Sequence, residues 1–102
     1  MIVELNNDNF NSVALNNEKT VLIEFYTEWC PYCKKVYPFL LELLKKKSDI
    51  VIGRVNTDLY EDLAETYQID IVPTFMVIKN KSIIDKKVIY NKLEELESFI
   101  NK

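Results

Sequence analysis

Two cysteines stand three positions apart in the stretch EFYTEWCPYCKK, residues 24–35, and the 102-residue chain has no others. A structural zinc site takes four nitrogen or sulfur ligands. Cys30 and Cys33 supply two and the chain contains no histidine, so zinc would need carboxylates or a second subunit. A disulfide that closes so short a loop adds little stability. We therefore expect neither a metal site nor a structural staple here.

The position of the two sulfurs favours redox chemistry. The downstream pattern predicts a helix over 31–47 with Cys30 at its cap and Pro31 at the first helical position, where a missing N–H costs nothing. Unpaired N–H groups and the dipole at a helix N-terminus stabilise a thiolate, which we expect at an exposed Cys30. Cys33 lies one turn further on, more covered and within disulfide reach. This arrangement suits a two-step exchange, in which Cys30 attacks a partner disulfide and Cys33 resolves the mixed disulfide.

Strands and helices must position this motif. The nearly unbroken apolar run VLIEFY, residues 21–26, predicts a central strand covered on both faces. Apolar residues recur at helical spacing after the cysteines, which predicts one buried stripe, and Pro38 should kink that helix. Upstream, the pattern predicts a strand over 1–5 and a helix over 8–15 with Asp8 as its N-cap.

The second half of the chain predicts a strand, a helix, a hairpin closed at Asn80–Lys81 and a last helix. Their ranges are 50–55, 59–67, 74–80 with 82–89, and 93–101. The full order is β-α-β-α-β-α-β-β-α. We expect strands joined by helices to run parallel with right-handed crossovers and the hairpin to add an antiparallel edge. The predicted fold class is α/β, a mixed central sheet with helices on both faces.

Composition indicates one domain over residues 1–102. Hydrophobic residues make up 48% of the chain, enough for a packed core. A net charge of −3 with both signs mixed gives no reason to expect nucleic acid or an anionic membrane as partner, and no apolar run approaches the ~18 residues of a membrane-spanning helix. The start MIVELNNDNF lacks the layout of an export signal. We expect a cytoplasmic monomer if the chain is full length, the alternative being a processed secreted form.

Glu24 interrupts the apolar run of the central strand and admits two interpretations. A carboxylate at this point could face solvent at a pleat of the strand. If the strand is covered on both faces, the carboxyl is buried instead, and desolvation raises its pKa. A buried carboxyl of raised pKa close to a thiol pair is a candidate functional group.

The segment VLIEFYTEWCPYCKKVYPFLLEL, followed about forty residues on by IDIVPTFMVIKN, resembles the thioredoxin family over essentially all 102 residues. The resemblance rests on Trp29 before the paired cysteines, Pro38 in the following helix, and Val72-Pro73-Thr74 before a strand. It implies the thioredoxin fold and a cis peptide bond at Pro73 beside the sulfurs. It also implies that backbone next to this proline pairs with an extended substrate chain.

The same resemblance implies roles for two charged residues. Glu24 matches the buried acid beneath the disulfide, which is Asp in most thioredoxins and Glu in protein disulfide isomerase domains. In that role it accepts the proton of Cys33 as general base. Arg54 matches the lysine position near that acid and would hold its charge. Lys34 and Lys35 are expected to be exposed helix charges.

Departures from the family concern the surface around Cys30. Pro31-Tyr32 between the cysteines is typical of glutaredoxins, for which reduction potentials are roughly −200 to −230 mV against about −270 mV for thioredoxin. We therefore expect a potential more oxidising than that of an ordinary thioredoxin. Ile89 stands where a thioredoxin has glycine. With Trp29, Tyr32 and Val72 it would form an apolar surface around Cys30, although strand alternation allows core packing equally.

The predicted function is that of a thiol–disulfide oxidoreductase acting on protein disulfides, with Cys30, Cys33 and Glu24 as catalytic residues. Substrate contacts are expected at Trp29, Pro31, Tyr32, Val72, Pro73 and Ile89. No cofactor beyond the dithiol is expected, and an NADPH-linked thioredoxin reductase or another dithiol reductant would recycle it. One alternative is a glutaredoxin-like, glutathione-dependent enzyme, although the chain lacks the downstream Gly-Gly of glutaredoxins. The other is a binding module whose cysteines are incidental.

Overall fold

Strands and helices alternate along the chain nearly as the apolar patterns predict. The computed structural model describes residues 2–90 and 92–102. Within them the chain forms five strands: β1 Ile2–Leu5, β2 Val21–Tyr26, β3 Val51–Asn56, β4 Thr74–Lys79 and β5 Ser82–Val88. The same residues form three α-helices, α1 Pro31–Lys46, α2 Glu61–Thr66 and α3 Leu93–Ile100, and a π-helical turn at Asn11–Leu15. Helix α1 continues through Pro38.

The strands form one sheet in the order β1-β3-β2-β4-β5. Strands β1 and β2 both run parallel to β3, as predicted for strands joined through helical segments. The hairpin of β4 and β5 is antiparallel. Its two connecting residues, Asn80 and Lys81, both have positive φ angles of 51° and 66°, the backbone that matches the twist of paired strands in a tight hairpin. The predicted mixed sheet is confirmed.

The prediction that all strands joined by helices run parallel is wrong for β4. This strand follows β3 through α2, yet it pairs antiparallel with β2. Thr74 at the start of β4 pairs with Phe25 near the end of β2, and Phe25 also pairs with Val55 near the end of β3. Strand β4 therefore begins at the end of the sheet where β3 finishes, and the connection through α2 does not return the chain to the opposite end.

Two apolar clusters cover the two faces of the sheet. Alternation along β2 places Leu22 with the buried faces of α1 and α3. It places Val21, Ile23 and Phe25 in the cluster on the opposite face, where the π-helical turn and α2 pack. Both faces are thus covered, as the continuous apolar run of β2 predicts.

The upstream helix differs from its prediction. Asp8 is not an N-cap, because the helical turn begins only at Asn11 and the residue before it, Phe10, makes no side-chain cap. The side chains of Asn6 and Asn9 instead bond backbone N–H groups reciprocally, at 2.9 Å to Asn9 and 2.7 Å to Asn6. This reciprocal i, i+3 pattern is that of a capping box, so polar residues other than Asp8 satisfy the backbone at the start of this segment. Phe10 is nevertheless buried.

Over residues 2–90 and 92–102, the helices are all too short or too polar to cross a bilayer.

Candidate redox site

The first turn of α1 brings the two sulfurs together. Cys30 caps the helix with an extended backbone, and its Sγ accepts the backbone N–H of Cys33 at 3.2 Å. Pro31 occupies the first helical position, so the N–H that proline lacks is one that a helix would leave unpaired anyway. Both cysteines carry free thiols. The predicted cap and proline positions are confirmed.

The expectation of an exposed Cys30 is wrong. Cys30 is 4% exposed and Cys33 is 1% exposed, so the two differ only slightly in coverage. The Cys30 thiol donates a long hydrogen bond to the Val72 carbonyl at 3.8 Å, and Val72 packs against the cluster that Tyr26 and the two cysteines form. The loop before β4 therefore lies over the thiol pair, an arrangement between distant segments that helix chemistry alone does not reveal.

The peptide bond between Val72 and Pro73 is cis, as the resemblance implied. Pro73 is buried and Val72 is half-buried. Both stand immediately before β4, which begins at Thr74. Because the Val72 carbonyl contacts the Cys30 thiol, this loop and the helix start form the two sides of the site.

Glu24 is buried rather than solvent-facing. Its side chain is fully covered, and its Oε1 accepts a hydrogen bond from Nε of Arg54 at 2.7 Å. Among the described residues, its Oε2 has no hydrogen-bond partner. Burial raises the pKa of Glu24 from 4.5 to about 7, although the adjacent Arg54 charge lowers it. The predicted neighbourhood of Glu24 and Arg54 is confirmed.

Cys33 differs from Cys30 in its surroundings. Burial raises the pKa of the Cys33 thiol, and the hydrogen bond with Cys30 and the negative charge of Glu24 act in the same direction. Cys33 is thus held as a neutral thiol, and its nucleophilic form requires a nearby group that removes the proton.

Three aromatic side chains stand around the opening of the site. Trp29 is 69% exposed, and its indole N–H donates to Asp58 Oδ2 at 2.9 Å. Tyr32 is also exposed, and its ring lies 4.6 Å from the ring of Tyr90. Pro31 is exposed beside them. These residues and the half-buried Val72 offer an apolar surface next to Cys30.

Ile89 does not belong to this surface. It is 1% exposed and packs in the cluster beneath α1 and α3, so the expected substrate contact at Ile89 is wrong. Because its side chain points into the core, the next residue, Tyr90, provides the exposed side chain that meets Tyr32. The sequence allowed both placements of Ile89, and core packing decides between them.

A cavity of about 680 Å³ opens beside the buried side of the dithiol, with Cys33, Thr27, Tyr37 and Arg54 in its wall. The Arg54 guanidinium lies 3.7 Å from the centre of the Tyr26 ring and 4.8 Å from that of Tyr37. Neither tyrosine was predicted as a site residue, because no sequence motif marks them and their contacts with Arg54 join distant parts of the chain.

Glu4 was also missed. Its carboxylate accepts the Tyr26 hydroxyl at 2.6 Å and pairs with Arg54 at 3.4 Å. Its signal in the sequence was a charged residue within the otherwise apolar first strand.

Comparisons with known proteins agree with this arrangement. The thioredoxin family, described as "Thioredoxin", matches residues 1–102. Thioredoxin from Buchnera aphidicola subsp. Acyrthosiphon pisum (strain APS) is 31% identical over 101 residues, which cover 98% of this chain and 94% of that protein. Mitochondrial thioredoxin from Mus musculus is 34% identical over 94 residues, covering 91% of this chain and 57% of that protein.

A protein disulfide-isomerase from Schizosaccharomyces pombe is 34% identical over 107 residues, covering 99% of this chain and 30% of that protein. The chain thus spans less than two thirds of both the mouse thioredoxin and the fission-yeast isomerase. The chain belongs to the thioredoxin family. Its paired cysteines stand at the start of α1, an arrangement that suits thiol–disulfide exchange.

Proposed function

We propose that this protein reduces disulfide bonds of other proteins through its Cys30–Cys33 dithiol. The observation that carries the proposal is the 3.2 Å hydrogen bond from the Cys33 N–H to the Cys30 sulfur at the start of α1. An N–H donor aimed at sulfur favours the thiolate, the form that attacks disulfides. The redox centre is the dithiol itself, with no bound cofactor.

The exchange proceeds in two balanced steps. The Cys30 thiolate attacks one sulfur of a substrate disulfide, a mixed disulfide forms, and the other substrate sulfur leaves as a thiolate. Cys33 then loses its proton and attacks Cys30, which forms the Cys30–Cys33 disulfide and releases the second substrate sulfur. The substrate gains two electrons and takes two protons, and the dithiol is oxidised.

Glu24 is the proposed base for the second step. A base whose pKa lies near the working pH transfers protons efficiently, and the pKa of Glu24 is about 7. Hydrogen bonds among the described residues link Glu24 to Arg54 but not to Cys33. One water within the adjacent cavity, which Cys33 and Arg54 both line, would complete the route from sulfur to carboxylate.

Substrate binding is proposed at the exposed surface beside Cys30. Trp29, Pro31 and Tyr32 lie on one side of the sulfur, and Val72 and Pro73 lie on the other. Because the Cys30 thiol is covered by the Val72 carbonyl, a substrate would engage this loop as an extended chain and replace that contact. Buried Pro73 shapes the loop, whereas the other four present surface to the substrate.

Recycling would require an external dithiol reductant, such as an NADPH-linked thioredoxin reductase. The bulkier surface formed by Tyr32 and Tyr90 favours a reductant adapted to it, and we propose a potential above that of an ordinary thioredoxin, in keeping with the Pro31-Tyr32 pair. We further propose that the protein acts as a monomer in the cytoplasm, where it contributes to electron transport and redox homeostasis.

Trapping of substrates tests the assignment of the two cysteines. Cys33→Ser leaves the attacking sulfur but removes the resolving one, so it should accumulate mixed disulfides on Cys30 when mixed with oxidised insulin. Cys30→Ser should accumulate none, because Cys33 is held as a neutral thiol. Non-reducing electrophoresis and intact-protein mass spectrometry measure both. Equal trapping by the two variants would overturn the assignment.

Two control assays separate this function from its alternatives. The wild-type protein should reduce insulin under dithiothreitol, and turnover should be much slower with a glutathione mixed disulfide. A preference for the glutathione substrate would identify the glutaredoxin-like alternative. A biological role unaffected by Cys30→Ser would identify a binding module.

A further inference from the structure

Three charged side chains lie in one row across three neighbouring strands. The register pairs Glu4 of β1 with Arg54 of β3, and the same Arg54 with Glu24 of β2. Residues paired in this way point to the same face of the sheet. Negative, positive and negative charges therefore alternate along the row, with the arginine in the middle.

The two carboxylates share one guanidinium. Nε of Arg54 donates to Oε1 of Glu24 at 2.7 Å, and Nη1 of Arg54 donates to Oε2 of Glu4 at 3.4 Å. Arginine can do so because its planar head carries several donors in a fixed fork, whereas a lysine is a point charge. The rings of Tyr26 and Tyr37 lie against the guanidinium and hold it between the two acids.

Glu4 is itself held in place. The Tyr26 hydroxyl donates to its Oε1 at 2.6 Å, although the Glu4 side chain is 60% exposed. The outer carboxylate of the row is thus fixed by a residue two positions beyond Glu24 on the same strand. The contacts reach from the solvent-facing edge of β1 to the buried acid beneath the dithiol.

We propose that Glu4 is a positioning residue for the redox site, because it competes with Glu24 for the Arg54 guanidinium and so controls how readily Glu24 takes up a proton. Without Glu4, the positive charge would serve Glu24 alone and stabilise its carboxylate. With Glu4 present, Glu24 accepts the Cys33 proton more readily. The consequence of Glu4 for catalysis rests on the proposed function, whereas the effect of Glu4 on proton uptake by Glu24 does not.

The titratable groups around Glu24 and its partner Arg54 come from four elements. Glu4 on β1, Arg54 on β3 and Cys33 on α1 interact with Glu24 itself, and the rings of Tyr26 on β2 and Tyr37 on α1 lie against Arg54. The charge of Glu4 acts on Glu24 in the proposed direction, since it raises the pKa of Glu24 while Arg54 lowers it.

The test is a titration of the Glu24 carboxyl in the reduced protein, followed by carboxyl ¹³C resonances and assigned with Glu24→Gln. In Glu4→Gln, the proton affinity of Glu24 should fall by about two- to fivefold, the range expected for a partly exposed ion pair. Glu42→Gln is the matched control, because it also removes an exposed carboxylate paired with a cation, here Lys45 at 3.6 Å on α1. Equal proton affinity of Glu24 in Glu4→Gln and in Glu42→Gln would overturn the proposal.

Two further variants test the route through Arg54. Tyr26→Phe keeps the Glu4 charge but removes the hydroxyl that holds the Glu4 carboxylate in place. The proton affinity of Glu24 should therefore also fall, by a smaller factor than in Glu4→Gln. In an Arg54→Met background, Glu4→Gln should change the proton affinity of Glu24 very little. An undiminished effect there would show that Glu4 acts without the guanidinium, which contradicts the proposal.

The pH profile of mixed-disulfide resolution gives an independent measurement. In Glu4→Gln its acid limb should move to lower pH, while the first attack by Cys30 stays unchanged. A shifted titration with an unmoved resolution profile would support the Glu4 assignment and contradict Glu24 as base, so the two failures are distinguishable.

Discussion

At the scale of residues, Glu24 combines burial with an incomplete set of partners. One oxygen pairs with Arg54, whereas the other has no hydrogen-bond partner among the described residues. Burial raises the pKa of this carboxyl to about 7 against the effect of the arginine. A buried ion pair with a purely structural role is more stable when both carboxylate oxygens are hydrogen-bonded. The unpaired oxygen is therefore the part of this carboxyl available to receive a proton.

Glu24→Gln should slow the resolution of a mixed disulfide by about a hundredfold at pH 7, the lower end of the range for general-base catalysis. Attack by Cys30 should be almost unchanged. Rapid mixing with a fluorescent disulfide peptide measures the two phases separately, with Glu42→Gln as the control for loss of a carboxylate. Wild-type resolution should also slow as the pH falls below about 7, since the base becomes protonated. An unaltered resolution phase in Glu24→Gln would remove the base from the mechanism.

At the scale of elements, side-chain packing on one face of the sheet depends on Gly53. This residue pairs with Val3 of β1 and Ile23 of β2. A Cβ added at Gly53 would lie 2.5 Å from Leu5 Cδ1 and 3.1 Å from Ile23 Cδ1. Leu5 is fully buried and has little room to move. The chain's only glycine therefore serves packing under the π-helical turn.

Gly53→Ala should lower the free energy of unfolding by about 1–3 kcal/mol, the usual cost of overpacking a core. Urea unfolding followed by circular dichroism measures the change. Leu5→Ala alone should also destabilise the protein, because it leaves a cavity. The double variant should lose less than the sum of the two single losses, since the alanine at position 53 then occupies vacated space. Additive losses would show that the contact between these residues is not the cause.

At the scale of the whole molecule, the site is assembled between the two apolar clusters. One cluster fixes α1 against the sheet, and the other fixes α2 and the π-helical turn. The sheet between them carries Glu24, whose proton uptake is therefore linked to folding of the entire domain. The same carboxyl therefore affects both the proposed exchange reaction at the dithiol and the stability of the fold.

The linkage predicts that stability falls as the pH rises. The pKa of Glu24 is raised from 4.5 to about 7, so between these values the folded state keeps a proton that the unfolded state has lost. The free energy of unfolding should decrease by up to about 3 kcal/mol across this window. Above pH 7 this contribution is fully lost.

Urea unfolding of the reduced protein at several pH values between 4.5 and 8 measures this slope. Glu24→Gln should show a much flatter dependence in the same window, whereas Glu42→Gln should keep the wild-type slope. A steep slope retained in Glu24→Gln would assign the effect to another group.

Most of the fold followed from local patterns. Hydrophobic periodicity indicates the strands and the helices, because each signal is contained within a few consecutive residues. The direction of β4 did not follow, since it depends on the end of the sheet from which the connection after β3 enters β4. The upstream helix is a single π-helical turn, Asn11–Leu15, and periodicity does not report where such a turn begins or which polar side chains bond the backbone before it.

By itself, the sequence determined that two sulfurs stand at a helix start, with Cys30 at the cap and Pro31 behind it, because helix capping is a local property. Only the tertiary structure decided that the Val72 loop covers Cys30, that Ile89 is core, and that Glu4 and Glu24 share Arg54. These facts depend on strand register and on which face of the sheet a side chain meets. Residues far apart in the chain set both, through packing that no short stretch of sequence contains.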